Sequence, residues 1–155
     1  MRTKCERWPN PLKFRAAVTL ATLALLAGYP LHAQTDPETA RFQRCSGPGR
    51  VTCVVDGDTI WYRGTKIRLS DINAPEVSQP ACAAEADLGE RATRRLTELL
   101  NAGPFSLHRE GRDVDRYGRL LRVVSRRGAS LGRTLEGEGL AEHWQGRRGN
   151  WCSAG

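Results

Sequence analysis

Two carboxylates and two guanidinium groups stand beside residues that restrict the backbone: Asp58 in "DGDT", Arg68 in "KIRLS", Glu76 in "DINAPE" and Arg119 in "DRYGR". Asp56-Gly57 is a strong hairpin signal, so that pair reads as a turn. Asp58 follows it directly, where a carboxylate can offer hard oxygen to Ca²⁺ or Mg²⁺; the plainer reading is an exposed aspartate near a turn. Arg68 ends an apolar strand, where a snorkelling or salt-bridged arginine is the simple alternative. Glu76 follows Pro75, which excludes a helix through Ala74. A carboxylate on such a rigid turn can take a proton from water, or it can charge the start of the next helix. Arg119 either grips phosphate with both arms of its fork or ends a loop. Each is weak alone. Together they are the parts that phosphodiester hydrolysis requires: a metal ligand, a base for water, and fixed cations for charge on the equatorial oxygens.

Such groups need a frame. Residues 51–55, 59–62 and 66–69 are β-branched or aromatic in character and are separated by Asp-Gly and Arg-Gly, which predicts an antiparallel meander. From residue 85 to 100 the period becomes helical, with Ala84, Leu88, Ala92, Leu96, Leu99 and Leu100 on one face and charges on the other. Gly103 and Pro104 close it. "FSLHRE" and "LLRVVS" add two strands around the loop "GRDVDRYGR", and "SLGRTLEGEGLAEHW" gives a short helix weakened by its glycines. The order predicts an α+β fold, a five-stranded OB-type barrel with about two helices, which often binds oligonucleotides. Fold alone does not establish that function.

The N-terminus has basic residues, then the apolar run "AAVTLATLALLAG", then a candidate cut after Ala33, the order of a secretory signal peptide over 1–33. The run is shorter than the ~20 residues needed to span a bilayer. Removing it leaves 155 − 33 = 122 residues, room for one domain. Residues 34–50 read as a tether and 51–155 as the domain. The leader carries five bases and Glu6, or +4 of the total +7, so the remainder is only about +3 and its charge argues weakly for a nucleic-acid partner. Lys66 is the only lysine after the leader, and every other cation there is arginine. Cys45, Cys53, Cys82 and Cys152 allow two disulfides in three pairings; local pairing of Cys45 with Cys53 would leave Cys82 to join Cys152. No Cys-x-x-Cys pair supports a metal site of their own.

"VVDGDTI", "IRLSDINAPE", a helix, "DRYGRLL" and "GLAEHW", in that order, resemble the thermonuclease family of staphylococcal nuclease-like secreted nucleases, across residues 51–144. The resemblance implies a Ca²⁺-dependent phosphodiesterase that cuts DNA and RNA, single-stranded or unpaired by preference, and leaves 3′-phosphates. It implies Asp58, Asn73 and the Ala74 carbonyl as metal ligands, Arg68 and Arg119 as phosphate-binding residues, and Glu76 as general base. It also implies a secreted or periplasmic monomer, free of the membrane once the leader is removed.

Two departures follow. Asn73 stands where the family has aspartate, so Asp58 and Asn73 bring one negative charge in place of two, and lower Ca²⁺ affinity is expected. Whether Asp71 compensates is open. The chain also ends soon after "HWQGRRGNWC", where a disulfide through Cys152 could replace a longer helix. His143 or Trp144 could stack on a base, with core packing the alternative for Trp144. The rival functions are a nucleic-acid-binding OB module with little or no turnover, because of Asn73, and a disulfide-stapled interaction domain.

Overall fold

The computed structural model describes residues 35–152; the leader over 1–33 and its cut lie outside the described residues. Strands β1 (Cys53–Asp56), β2 (Thr59–Tyr62) and β3 (Thr65–Leu69) form the expected meander. Arg63 and Gly64 both take positive φ, 50° and 78°, between β2 and β3. That is the twist a two-residue hairpin requires. Next come the two-residue strand β4 (Ile72–Asn73) and helix α1 (Ala83–Asn101). β5 (Ser106–His108), β6 (Leu120–Arg126), β7 (Ala129–Ser130), α2 (Leu131–Gly137) and β8 (Glu142–His143) complete the chain.

The main sheet runs β1-β2-β3-β6-β5, with β3 and β6 parallel and the other neighbours antiparallel, and β7 pairs with β6. This is the OB-type α+β arrangement. Ile60 faces Ile67 across β2 and β3, and both are buried with Val54, Leu69 and Val124. Helix α1 covers this layer with Ala92, Leu96 and Leu100, each fully buried. The spacing of those three follows the helical period. The second helix is shorter than the sequence suggests. It stops at Gly137, the chain turns through Gly139 at φ 71°, and β8 pairs with β4.

The reading of residues 34–50 as a tether is corrected. Glu38 pairs with Phe105 through two 2.9 Å backbone hydrogen bonds, while Val54 donates to Gln43 and Cys45 donates to Val54. The segment therefore lies along both β1 and the approach to β5. Phe42 is 3% exposed and packs against the rings of Tyr62 and Phe105. The Asn101 side chain accepts from the Phe42 N–H and donates to its carbonyl. A single buried aromatic carries no period, so the segment reads as loop although it packs as core. Of the three cysteine pairings, the structure contains Cys45–Cys53 and Cys82–Cys152.

Candidate active site

The turn after β1 brings Asp58 to the rim of the sheet, 8% exposed. The glycine before it is required for space, since Gly57 is not among the positive-φ residues. A Cβ there would lie 2.6 Å from Ala92 Cβ and 2.7 Å from Ala74 Cβ. The turn is thus pressed against α1 and the "DINAPE" segment at once. Asp58 Oδ2 accepts from the Ala74 N–H at 3.1 Å and lies 3.1 Å from Arg68 Nη2, while Oδ1 accepts from Thr59 Oγ1.

Arg68, on β3, is also 8% exposed. Its Nη1 donates to the Leu69 and Ile72 carbonyls, and Nη2 approaches Asn73 Oδ1 at 3.5 Å. The guanidinium lies 4.7 Å from the centre of the Trp144 ring. Trp144 is half-buried and backs Arg68, so it is neither a core residue nor an open platform for a base.

The fate of Asn73 depends on β8. Asn73 faces Glu142 in the β4–β8 register, and its Nδ2 donates to Glu142 Oε1 at 3.0 Å. That hydrogen bond leaves Oδ1 turned inward. Asp58 Oδ2 and Asn73 Oδ1 both border Arg68 Nη2, so the two hard oxygens meet at that nitrogen and an ion would have to bind beside it. Asp71 does not join them: Ser130 Oγ donates to its Oδ2, and its carboxylate occupies the space that a Cβ at Gly132 would fill. Asp56 lies close enough to Asp58 and Glu76 to feel both their charges. Its carboxyl is pushed up to about 7, first by burial, then by the charge of Asp58 and less by that of Glu76.

The donor set expected from the sequence, Asp58, Asn73 and the Ala74 carbonyl, is all oxygen, the type that a hard divalent cation takes. Among the described residues no group of three or more His, Cys, Asp or Glu side chains could hold a metal. Any ion here would therefore depend on the amide, the carbonyl and water besides Asp58.

Glu76 follows β4 on a loop fastened to α1. Glu85, in the first turn of α1 and buried, accepts from the N–H groups of Glu76 and Ala81 at 3.3 and 2.6 Å. Gly89 lets the helix approach, since a Cβ there would lie 3.0 and 3.1 Å from the carbonyl oxygens of Pro75 and Glu76. The Glu76 carboxylate pairs with Arg148 at 2.7 Å. Arg119 immediately precedes β6 and is held by Asp115: the carboxylate accepts from Arg119 Nε at 2.6 Å and from the Arg119 and Tyr117 N–H groups at 2.9 Å. Burial by itself raises the Asp115 carboxyl, but these hydrogen bonds and the Arg119 charge bring it below its ordinary value. Arg119 also lies over the exposed Tyr117 ring.

Asp58, Arg68, Asn73 and Ala74 thus form one contact group. Glu76 joins it electrostatically through Asp56, and Arg119 adjoins Lys66, Tyr117 and Arg148 around an open cavity of about 250 Å³. Another cavity, of about 240 Å³, is lined by Arg44 and residues of α1, and none of the candidate site residues lines it. Sequence reasoning passed over Glu85, Asp115, Glu142 and Arg148. Asp115 carries a local signal, a carboxylate four residues before Arg119 in a Gly-containing turn. Glu142 carries none, because its contact spans 69 residues.

A family model described as staphylococcal nuclease homologue matches residues 66–151, more than half of the chain. The chain is 40% identical over 92 residues to a protein named endonuclease YncB of Bacillus subtilis, covering 56% of this chain and 43% of that one. It is 34% identical over 109 residues to a protein named micrococcal nuclease of Shigella flexneri, covering 68% of this chain and 55% of the relative. The chain therefore spans about half the length of these curated relatives. The matched region includes Arg68, the "DINAPE" loop, Arg119 and the β8 segment, and the chain belongs to the staphylococcal nuclease homologue, or thermonuclease, family.

Proposed function

We propose that this chain is an exported, Ca²⁺-dependent nuclease that hydrolyses phosphodiester bonds of DNA and RNA as a monomer. One observation carries the reading: Asp58 Oδ2, from the turn after β1, and Asn73 Oδ1, from β4, meet at Arg68 Nη2, and Glu76 follows on the loop after β4. The leader pattern and the two cysteine pairs support export to a secreted or periplasmic setting.

Asp58, Asn73 and the Ala74 carbonyl would hold Ca²⁺, which when bound polarises the scissile phosphate. Arg68 and Arg119 grip that phosphate and take up the charge that grows on its equatorial oxygens. Their own partners, Asp58 with two carbonyls and Asp115, fix both forks in advance. Glu76 takes a proton from a water molecule, and the resulting hydroxide attacks phosphorus in line. The 5′-oxygen leaves with a proton from solvent, so the 3′-phosphate stays on the other fragment.

Asn73 favours one alternative, a strand-binding module with little turnover, since an amide supplies no charge to the ion. Incubation of the mature chain with single-stranded DNA, with Ca²⁺ or with EGTA, separates the two. Ca²⁺-dependent cleavage abolished by Glu76→Gln is expected. Binding without cleavage at millimolar Ca²⁺ would overturn the enzyme reading.

A further inference from the structure

After β8 the chain doubles back across the base loop and is tied at Cys152 to Cys82, the residue that precedes α1. This carries Arg148 to Glu76, where its Nη2 lies 2.7 Å from Oε1. The Arg148 side chain is nevertheless 65% exposed, and with Lys66, Tyr117 and Arg119 it lines the cavity of about 250 Å³. Three cations therefore meet from β3, from the turn before β6 and from the C-terminal stretch, with no carboxylate among the lining residues. Two of the charges are answered outside the cavity, Arg119 by Asp115 and Arg148 by Glu76. Among the described residues Lys66 makes no ion pair. It shares a face of β3 with Arg68, two residues along, because strand side chains alternate.

With Arg119 and Arg148 answered, the Lys66 charge is the one left among the described residues at this open cavity for an entering anion to balance. We propose that Lys66 and Arg148 form, beside Arg119, a subsite for a backbone phosphate next to the one being cut, and that the Cys82–Cys152 bridge presents Arg148 to it. The inference rests on the nuclease reading. A phosphate in the cavity gives the Arg148 guanidinium a second anion, and the Glu76 carboxylate that it holds in the free protein is released for water. The subsite thus joins strand binding to the freeing of the base.

Fluorescence anisotropy of a labelled oligothymidylate with the mature chain, in EGTA and over a series of salt concentrations, tests this. Arg148→Ala and Lys66→Ala should each weaken binding about fivefold and lower the salt slope by about 0.7, the loss of one single-strand phosphate contact. Arg148→Lys should keep the slope. Cys82→Ser with Cys152→Ser should match Arg148→Ala, and adding Arg148→Ala to that pair should change nothing more. Melting curves for each variant separate a lost contact from a lost fold; if the serine pair unfolds, Arg148→Ala and Lys66→Ala, neither of them at a buried position, decide the question. Wild-type affinity and slope in both alanine variants would overturn the subsite while leaving the nuclease reading intact. A wild-type chain that neither binds the oligonucleotide in EGTA nor binds or cleaves it in Ca²⁺ would overturn both.

Discussion

Replacing Asn73 by aspartate restores the second charge at the ion site, and the structure sets what that costs without metal. Asn73 Nδ2 donates to Glu142 Oε1 at 3.0 Å, and Oδ1 is 3.5 Å from Arg68 Nη2. The variant would set two carboxylates about 3 Å apart, a repulsion on the order of 5 kcal/mol at an effective dielectric near 20. It would gain a similar attraction to Arg68, about 5 kcal/mol on the same footing. These two nearly cancel, which leaves the lost hydrogen bond to a charged acceptor, about 2 kcal/mol, and a repulsion from Asp58 at the same Arg68 nitrogen that adds to the loss. In EGTA, Asn73→Asp should therefore melt about 5–10 °C below the wild type. Millimolar Ca²⁺ should then raise its midpoint more than that of the wild type, because each tenfold gain in affinity adds about 1.4 kcal/mol once the ion is in excess. Differential scanning calorimetry in EGTA and in Ca²⁺ reads both shifts, with Glu142→Gln as the variant that relieves the repulsion. Equal midpoints in EGTA would refute the hydrogen-bond reasoning. Equal Ca²⁺ shifts would refute the assignment of residue 73 as a ligand.

Phe42→Ala should destabilise the domain by about 3–5 kcal/mol in urea unfolding, as for a buried ring with two aromatic neighbours; a loss below about 1 kcal/mol would mean that the segment is a tether after all. Gly57→Ala should lower stability by about 1–3 kcal/mol by overpacking against Ala92 and Ala74, and should lower Ca²⁺ affinity with it. An unchanged urea midpoint would show that the turn can retreat. The Tyr62 hydroxyl is pushed up to about 12 by burial, by its hydrogen bond to Glu38 and by that carboxylate's charge. The unfolded chain ionises near its ordinary value of about 10 and the folded chain holds its proton longer, so stability should fall as pH rises from about 10 towards about 12. Tyr62→Phe should remove that slope, and a slope that survives would place the titration elsewhere.

The parts of the fold legible in the sequence are those governed by local periods. Ala92, Leu96 and Leu100 mark α1 by spacing alone, and Asp-Gly and Arg-Gly mark the corners of β1, β2 and β3. The candidate residues Asp58, Arg68, Glu76 and Arg119 were legible as types beside restricted backbone. What orients them was not. Glu142 reaches Asn73 because β4 pairs with β8, and strands of two residues have no period to read. Glu85 falls on the buried face of α1 as a charged residue, against the pattern, because it accepts the N–H groups of the base loop. Arg148 reaches Glu76 through a disulfide that closes 70 residues of sequence. The Glu142 and Arg148 contacts are long-range, which short windows of sequence do not carry, whereas Glu85 acts locally but against the helical pattern.

The segment that precedes β1 also bears on how this protein behaves in a crowd. A strand at the edge of a sheet offers its free N–H and C=O groups to any other chain as a template for growth. Here the outer groups of Val54 are taken by Gln43 and Cys45, and the Cys45–Cys53 bridge, eight residues apart, holds that cover in place. The bridge closes a small loop, so its entropic effect on stability is modest. Its larger effect is on solubility: reduction of this pair would loosen the cover and expose β1 to its counterpart in a second molecule.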